Sequence, residues 1–372
     1  MKRSAIGLSL VIALLISILT YGQAAGQRGQ RGLAAPSPTG PSPLSVIKGK
    51  EYTLEKWGDG IYQATGGTGS QDCVIVNDRD VLLFDSGTTP ASARAVMEDI
   101  KLITDKPVRT VVNSHFHYDH SFGNAAFGPD VQIISSTYTR TALLTLDTLH
   151  REPYSSWINR SSPAQIDSLT KQIASESDAQ RKATLQSQLD TTRRDYERSK
   201  EIVPVPATIT FDSKMVLNKG GREIQLLFLG RGHTAGDVVT YLPKERVVCS
   251  GDLIEGGISY LGDGYFDEWV KTLENLKQLD FSIVLPGHGR PFSDKEHITA
   301  LQSYLTDVVK QAEVLRAKGV PVEDAIQRLD LSSHEKDWAP RMRAIDMRGM
   351  RRIYQYLEER AAQKQPVLQR EE

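Results

Sequence analysis

Residues 115–120 of this 372-residue chain read His-Phe-His-Tyr-Asp-His, three imidazoles and one carboxylate within six positions. Neutral imidazole and carboxylate are the ligands that suit Zn²⁺, with Fe and Mn as competitors. His115 and His117 follow the apolar run Val108-Arg-Thr-Val-Val112, which reads as a strand. Strand alternation then sends both rings to one side, while Asp119 and His120 reach a neighbouring position as the chain turns. Metal-type residues recur at Gly232-His233-Thr-Ala-Gly236, Ser250-Gly-Asp252 and Pro286-Gly-His288-Gly289. Each stands just past an apolar run and beside glycine, whose freedom lets the backbone turn sharply and leave the side chain at a strand end. Five of the eight histidines fall in these motifs, and His150, His297 and His334 do not. The two cysteines, Cys73 and Cys249, are too few for a zinc ribbon or a disulfide framework, so any metal is held by His and carboxylate. Cys249, in the apolar run Val247-Val-Cys249, reads as a buried strand residue.

The elements that must position these residues follow from hydrophobic periodicity. Short alternating runs from Ser45 onward suit strands: Tyr52–Leu54 with Gly60–Tyr62, then a hairpin of Cys73–Val76 and Val81–Phe84 across Asn77–Asp80. Val81–Phe84 is apolar throughout, as a strand covered on both faces would be. Helical spacing predicts a helix over 90–103, and strands resume at Ile224–Phe228, Val238–Leu242, Val247–Val248 and Ile283–Leu285. Between 162 and 200 the chain is polar with few apolar anchors (Ile166, Leu169, Ile173, Leu185, Leu189), so a helical insertion over about 150–205 is expected. Further helices are predicted over Trp269–Leu279, from Ile298 to a cap at Gly319, from near Pro321, and from Pro340 to Arg360.

Composition bounds the partners. The chain has 45 basic and 46 acidic side chains, 39% hydrophobic and 24% charged residues. That balance excludes a nucleic-acid-coating polycation and a disordered or collagen-like chain. Lys2 and Arg3 lead into an apolar stretch from Ile6 to Leu19 followed by Ala24 and Ala25. Residues 1–25 therefore read as a signal peptide, giving an exported protein, periplasmic or secreted, with no stable membrane span after cleavage. Residues 26–44, rich in Gly, Pro and Ser, read as a flexible leader. The catalytic domain is expected over 45–292 and a helical C-terminal extension over 293–372.

His-x-His-x-Asp-His, followed by His-Thr-x-Gly, Gly-Asp and Gly-His-Gly, resembles the metallo-β-lactamase superfamily of hydrolases over roughly Tyr52 to Phe292. The resemblance implies an α/β fold (α+β) of four layers, αββα, in which two mixed β-sheets are sandwiched between helices and the active site lies along one edge. It implies that His115, His117 and His233 hold one metal, that Asp119, His120 and His288 hold a second, and that Asp252 bridges two Zn²⁺ per chain. It also implies that Asp85, in Phe84-Asp-Ser-Gly87, accepts a hydrogen bond from a metal-bound His. A hydroxide bridging the metals would be the nucleophile, with Asp119 as the catalytic residue that orients it and passes a proton to the leaving group. Tyr260 and Tyr265 are candidate substrate-binding residues.

The departures from the family narrow the substrate. Lactamases of the commonest zinc subclass carry Cys where this chain has Asp252, whereas the glyoxalase, lactonase and ribonuclease branches carry the bridging Asp. The expected function is therefore an exported dinuclear zinc hydrolase acting on an ester, lactone, amide or similar bond of a small molecule. The alternatives are a β-lactamase and a mononuclear-iron persulfide dioxygenase-like oxygenase, since one fold hosts many chemistries.

Overall fold

The structure, a computed structural model, describes residues 40–67, 69–338 and 345–364. The expected signal peptide and residues 26–39 of the leader lie outside the described residues. The described chain divides into two compact units, one made of Leu149–Lys200 and one made of the segments before and after it.

In the larger unit the first sheet runs in strict chain order: β1 (Ser45–Lys48), β2 (Thr53–Gly58), β3 (Ile61–Thr65), β4 (Asp72–Val76), β5 (Val81–Phe84), β6 (Val108–Val112), β7 (Gln132–Ser136) and β8 (Ile209–Phe211). β1 to β5 pair antiparallel and β5 to β8 pair parallel. The second sheet contains β9 (Lys214–Lys219), β10 (Arg222–Phe228), β11 (Val238–Leu242), β12 (Val247–Gly251) and β13 (Ile283–Pro286), with only the β12–β13 pair parallel. Parallel pairing requires a crossover. Between β5 and β6 it is the helix Pro90–Ile100, and between β12 and β13 it is the helix Phe266–Lys277.

Period-two alternation distributes the apolar side chains into three cores. Ile61, Cys73, Ile75, Leu82, Phe84 and Val112 of the first sheet meet Ile224, Leu226, Val238, Leu242, Cys249 and Leu285 of the second. Leu54, Val74, Leu83 and Val111 face the other way, against Val96 and Ile100 of the helix Pro90–Ile100. Val239, Tyr241 and Val248 of the second sheet pack outward on Trp269 and Leu273, and on Leu301, Leu305 and Val308 of the helix Glu296–Ala317. These are the four layers, helix–sheet–sheet–helix, and Val81–Phe84 is buried on both faces as expected.

Local signals fix the helix ends. Thr89 Oγ1 accepts the Ser92 N–H while Ser92 Oγ accepts the Thr89 N–H, a reciprocal cap, and Pro90 occupies the first turn. The helix expected over 90–103 ends at Ile100 and turns continue to Ile103. Gly319, at φ 71°, follows the helix Glu296–Ala317 and accommodates the left-handed stop. A helix starts beside Pro321 as expected, Val322–Ala325, and runs on as a 3₁₀ turn over Ile326–Arg328. One expectation needs correction. The last described helix is Met347–Lys364 rather than Pro340–Arg360, with 339–344 outside the described residues. Cys73 and Cys249 are free thiols buried in the same inter-sheet core.

The unit Leu149–Lys200 holds the helices Ser162–Ser175 and Ala179–Arg198, which pack on each other. Leu169 and Leu189 are their buried apolar residues, and Asp178 caps the second by accepting the Arg181 N–H at 2.7 Å. Among the described residues no helix is long and apolar enough to cross a membrane.

Leu285 lies fully buried between the sheets. Leu285→Ala removes that packing and leaves a cavity, so urea unfolding is expected to show a loss of about 2–5 kcal/mol.

Candidate metal centre

The residues of the His-x-His-x-Asp-His run hang from the end of β6 on the first sheet. His233, Asp252 and His288 follow β10, β12 and β13 on the second. His117 is the extended residue before a one-turn helix, Tyr118–Ser121, and that turn swings Asp119 and His120 past the two preceding rings.

Asp85 organises the first-sheet side. It sits at the end of β5 in a left-handed conformation, φ 70°, which a non-glycine residue adopts at a cost. Its carboxylate accepts the Ser114 N–H at 2.7 Å and the Ser114 hydroxyl at 2.9 Å. The same group lies 2.8 Å from Nδ1 of His120. The His120 carbonyl accepts from Ser86 N at 3.0 Å and from Asn113 Nδ2 at 3.2 Å, which anchors the turn.

On the second sheet, Asp237 accepts both N–H and hydroxyl of Thr234 and closes the loop behind His233. Gly251, at φ 53°, lies so near Ser114 that a Cβ would come within 2.5 Å of the Ser114 Cβ. At Gly287 a Cβ would lie 2.5 Å from Asp252 Oδ1 and 2.8 Å from His120 Cε1. Glycine at these two points is what lets the edges of the two sheets close on each other.

All seven ligand-type side chains named from the sequence converge. Donor atoms of His115, His117 and His233 lie within 4.8 Å of one another, as do those of Asp119, His120 and His288. Asp252 stands between the groups: Oδ1 is 3.3 Å from His120 Nε2, while Oδ2 is 3.7 Å from His233 Nε2 and 3.6 Å from His288 Nε2. His288 Nε2 is 3.1 Å from Asp119 Oδ2, and these two are the more exposed members, at 14% and 15%.

The electrostatics suit cations. Burial, then the neighbouring imidazoles, keep His115 well below the usual histidine range and hold His233 down to about 3, so both rings are neutral with lone pairs to offer. Burial opposes charge on His120, but Asp252, Asp85 and Asp119 outweigh it and push His120 well above its ordinary value. Burial likewise works against ionised Asp119 and Asp252, yet the surrounding imidazoles hold both below the usual carboxylate range. His115 Nε2 is buried with no hydrogen-bond partner, and the buried His120 Nε2 and Asp252 Oδ1 face each other at 3.3 Å. Buried polar atoms left under-satisfied are costly, and three of them in one cluster of His and Asp fit a bound divalent metal.

Of the candidate tyrosines, Tyr260 borders the cluster, its ring 5.7 Å from that of His117 and 6.4 Å from that of His233. Tyr265 is stacked between Arg231 at 4.4 Å and Arg352 at 5.1 Å. One residue beside the cluster carries no motif: Asp263, whose Oδ2 lies 2.9 Å from His117 Nε2. Its flanking glycines, Gly262 and Gly264, mark a turn and nothing more.

Known proteins resemble this chain. The sequence matches the Metallo-beta-lactamase superfamily over residues 66–288. It is 22% identical to a linear primary-alkylsulfatase of a Pseudomonas species over 302 residues, 74% of this chain and 53% of that protein. It is 31% identical to a metallo-beta-lactamase type 2 of Elizabethkingia meningoseptica over 105 residues, 27% of this chain and 41% of that one. The chain thus spans about half the length of the curated relatives it matches. A solved metallo-beta-lactamase from Pontibacter korlensis aligns with 71% of this chain and 99% of its own at 18% identity, with a TM-score of 0.47. The family match covers more than half of the chain, which belongs to the Metallo-beta-lactamase superfamily.

Gly287→Ala forces a methyl group into Asp252 and His120. Zinc titration against a chromophoric chelator is expected to show at least tenfold weaker binding, about the size of effect that disturbing a ligand's support produces.

Proposed function

We propose that this chain is a dinuclear zinc hydrolase that cleaves an ester, lactone, amide or similar bond of a small molecule. The observation that carries the reading is the position of Asp252 between two His/Asp groups, within 3.3–3.7 Å of His120, His233 and His288. In it His115, His117 and His233 would hold one ion and Asp119, His120 and His288 the other, with the Asp252 carboxylate placed between the two groups. When bound, such a pair of ions polarises the oxygen of the scissile bond and lowers the pKa of water towards neutrality.

The chain's own groups do the rest. Asp119 is partly exposed and is held by His288 at 3.1 Å, so its carboxylate is placed to orient an attacking water and to pass the proton on to the leaving group. Asp85 accepts from Nδ1 of His120 at 2.8 Å, which fixes the ring with Nε2 turned into the cluster. Tyr260, beside His117 and His233, is placed to donate a hydrogen bond to substrate.

The similarity to an alkylsulfatase over 74% of the chain supports including sulfate esters within the ester class. A second reading, hydrolysis of β-lactams, is supported by the likeness to a metallo-beta-lactamase type 2 over 105 residues. The basic-led apolar N-terminal stretch supports export to the periplasm or beyond.

Protein purified without added metal is expected to carry about two Zn per chain by elemental mass spectrometry, falling towards about one in Asp252→Ala. One Fe per chain, or a zinc content indifferent to Asp252, would overturn the reading. Dialysis against a chelator is expected to abolish turnover on a panel of carboxylic esters, lactones, sulfate esters and β-lactams, and Zn²⁺ to restore it. Asp119→Ala is expected to reduce kcat by about 10²-fold or more while zinc-restored wild type recovers fully.

A further inference from the structure

An imidazole has two ring nitrogens, and the partner of one decides which way the other faces. His120 is set by Asp85, and His115 Nδ1 lies 2.9 Å from the Ser114 hydroxyl. His117 is set by a residue outside every motif. Its Nδ1 lies 3.0 Å from His233 Nε2, so this is the atom that joins the cluster. Its Nε2 points away and lies 2.9 Å from Asp263 Oδ2, with the His117 side chain 3% exposed and that of Asp263 14%.

We infer that Asp263 is a positioning residue for the first metal, and that the C-terminal helix Met347–Lys364 keeps it in place. The Asp263 carboxylate accepts the Nε2–H of His117, which leaves Nδ1 bare and makes it a stronger donor. The loop Leu261-Gly-Asp-Gly264 that carries it is pinned on both sides. Arg352, on the C-terminal helix, donates from Nε to the Gly264 carbonyl at 3.0 Å, is held by Glu359 at 3.0 Å, and stacks on Tyr265. Arg348, one turn earlier on that helix, stacks on Tyr260 at 4.9 Å. Tyr265 N donates at 2.9 Å to the carbonyl of Gly232, the residue before His233. Gly262 admits the Tyr260 side chain, because a Cβ there would fall 1.9 Å from its hydroxyl. The loop thus ties the C-terminal helix to both His117 and the backbone beside His233. A buried imidazole with a carboxylate behind it and a bare nitrogen in front is a metal ligand with its support in place, as His120 with Asp85 is.

The inference rests on the proposal that the cluster holds two metals, and the experiment separates the two. Wild type, Asp263→Ala, Asp263→Asn, Asp263→Glu and Arg352→Ala are titrated with Zn²⁺ against a chromophoric chelator. The same proteins are loaded with Co²⁺ for proton NMR of the shifted, exchangeable imidazole N–H signals. Asp263→Ala is expected to weaken one of the two zinc equivalents about 10–100-fold and to lose or broaden one N–H signal through faster exchange. Asp263→Glu is expected to recover part of both, and Arg352→Ala to lie between wild type and Asp263→Ala. Wild type that binds no zinc overturns the metal-centre reading, whatever Asp263 does. Wild type that binds two equivalents, with Asp263→Ala matching its affinity within about twofold and keeping every N–H signal, overturns the role of Asp263 alone. Should Asp263→Ala fail to fold by circular dichroism, Asp263→Asn, which keeps the shape and removes the charge, decides by the same criteria.

Discussion

The centre depends on one buried carboxylate in an unfavourable backbone conformation. Asp85 ends β5 at φ 70° and is fully buried, a combination that costs free energy twice, in strain and in desolvation. Both costs are offset by what the group holds: the Ser114 amide and hydroxyl at the end of the adjacent parallel strand, and Nδ1 of His120 six residues further on. The β5–β6 pairing brings those strand ends together, and the four residues of the first-sheet cluster follow directly. Were the carboxylate absent, the Ser114 amide would be left buried without this acceptor and the His120 ring without the partner that orients it.

Much of this was legible in the sequence because it is local. The six-residue run, the glycines beside His233, Asp252 and His288, and the periodicity of β4, β5, β6, β11 and the helix ending at Gly319 are patterns within a few residues. What was not legible is what only the fold brings together. Asp263 lies 146 positions from His117 and is announced by two glycines that would suit any turn. Arg352 reads as one of several arginines on a polar helix face, yet it is nearly buried and holds the Gly264 carbonyl. Cys73 and Cys249, unconnected by any pattern, share one core because β4 and β12 turn the same kind of face inward. Pro321 announced the start of a helix but not its extent, and signals of that kind fix where a helix begins better than how far it runs.

The two sheets contribute differently. The first supplies a contiguous run in which a single helical turn separates two pairs of ligands, so sequence spacing alone sets their geometry. The second supplies one side chain from each of three strand ends, and their relative places are set by hydrogen bonding along β10 to β13. Close approach between the two sides is bounded by Gly251 and Gly287, where even a methyl group would collide with Ser114, Asp252 or His120. Specificity of position is thus written in backbone geometry on one side and in missing side-chain volume on the other.

Because four of the seven ligand-type side chains hang from the first sheet and three from the second, an ion seated among them fastens one sheet to the other. A ligand bound only by the folded state stabilises it by mass action, about 2.7 kcal/mol at a hundredfold excess over its Kd. Against the 5–15 kcal/mol typical of whole proteins, roughly speaking, that is a sizeable share. An ion held across the seam would thus do more than supply chemistry, because it would also weight the folded sandwich against the opened one by the strength of its binding.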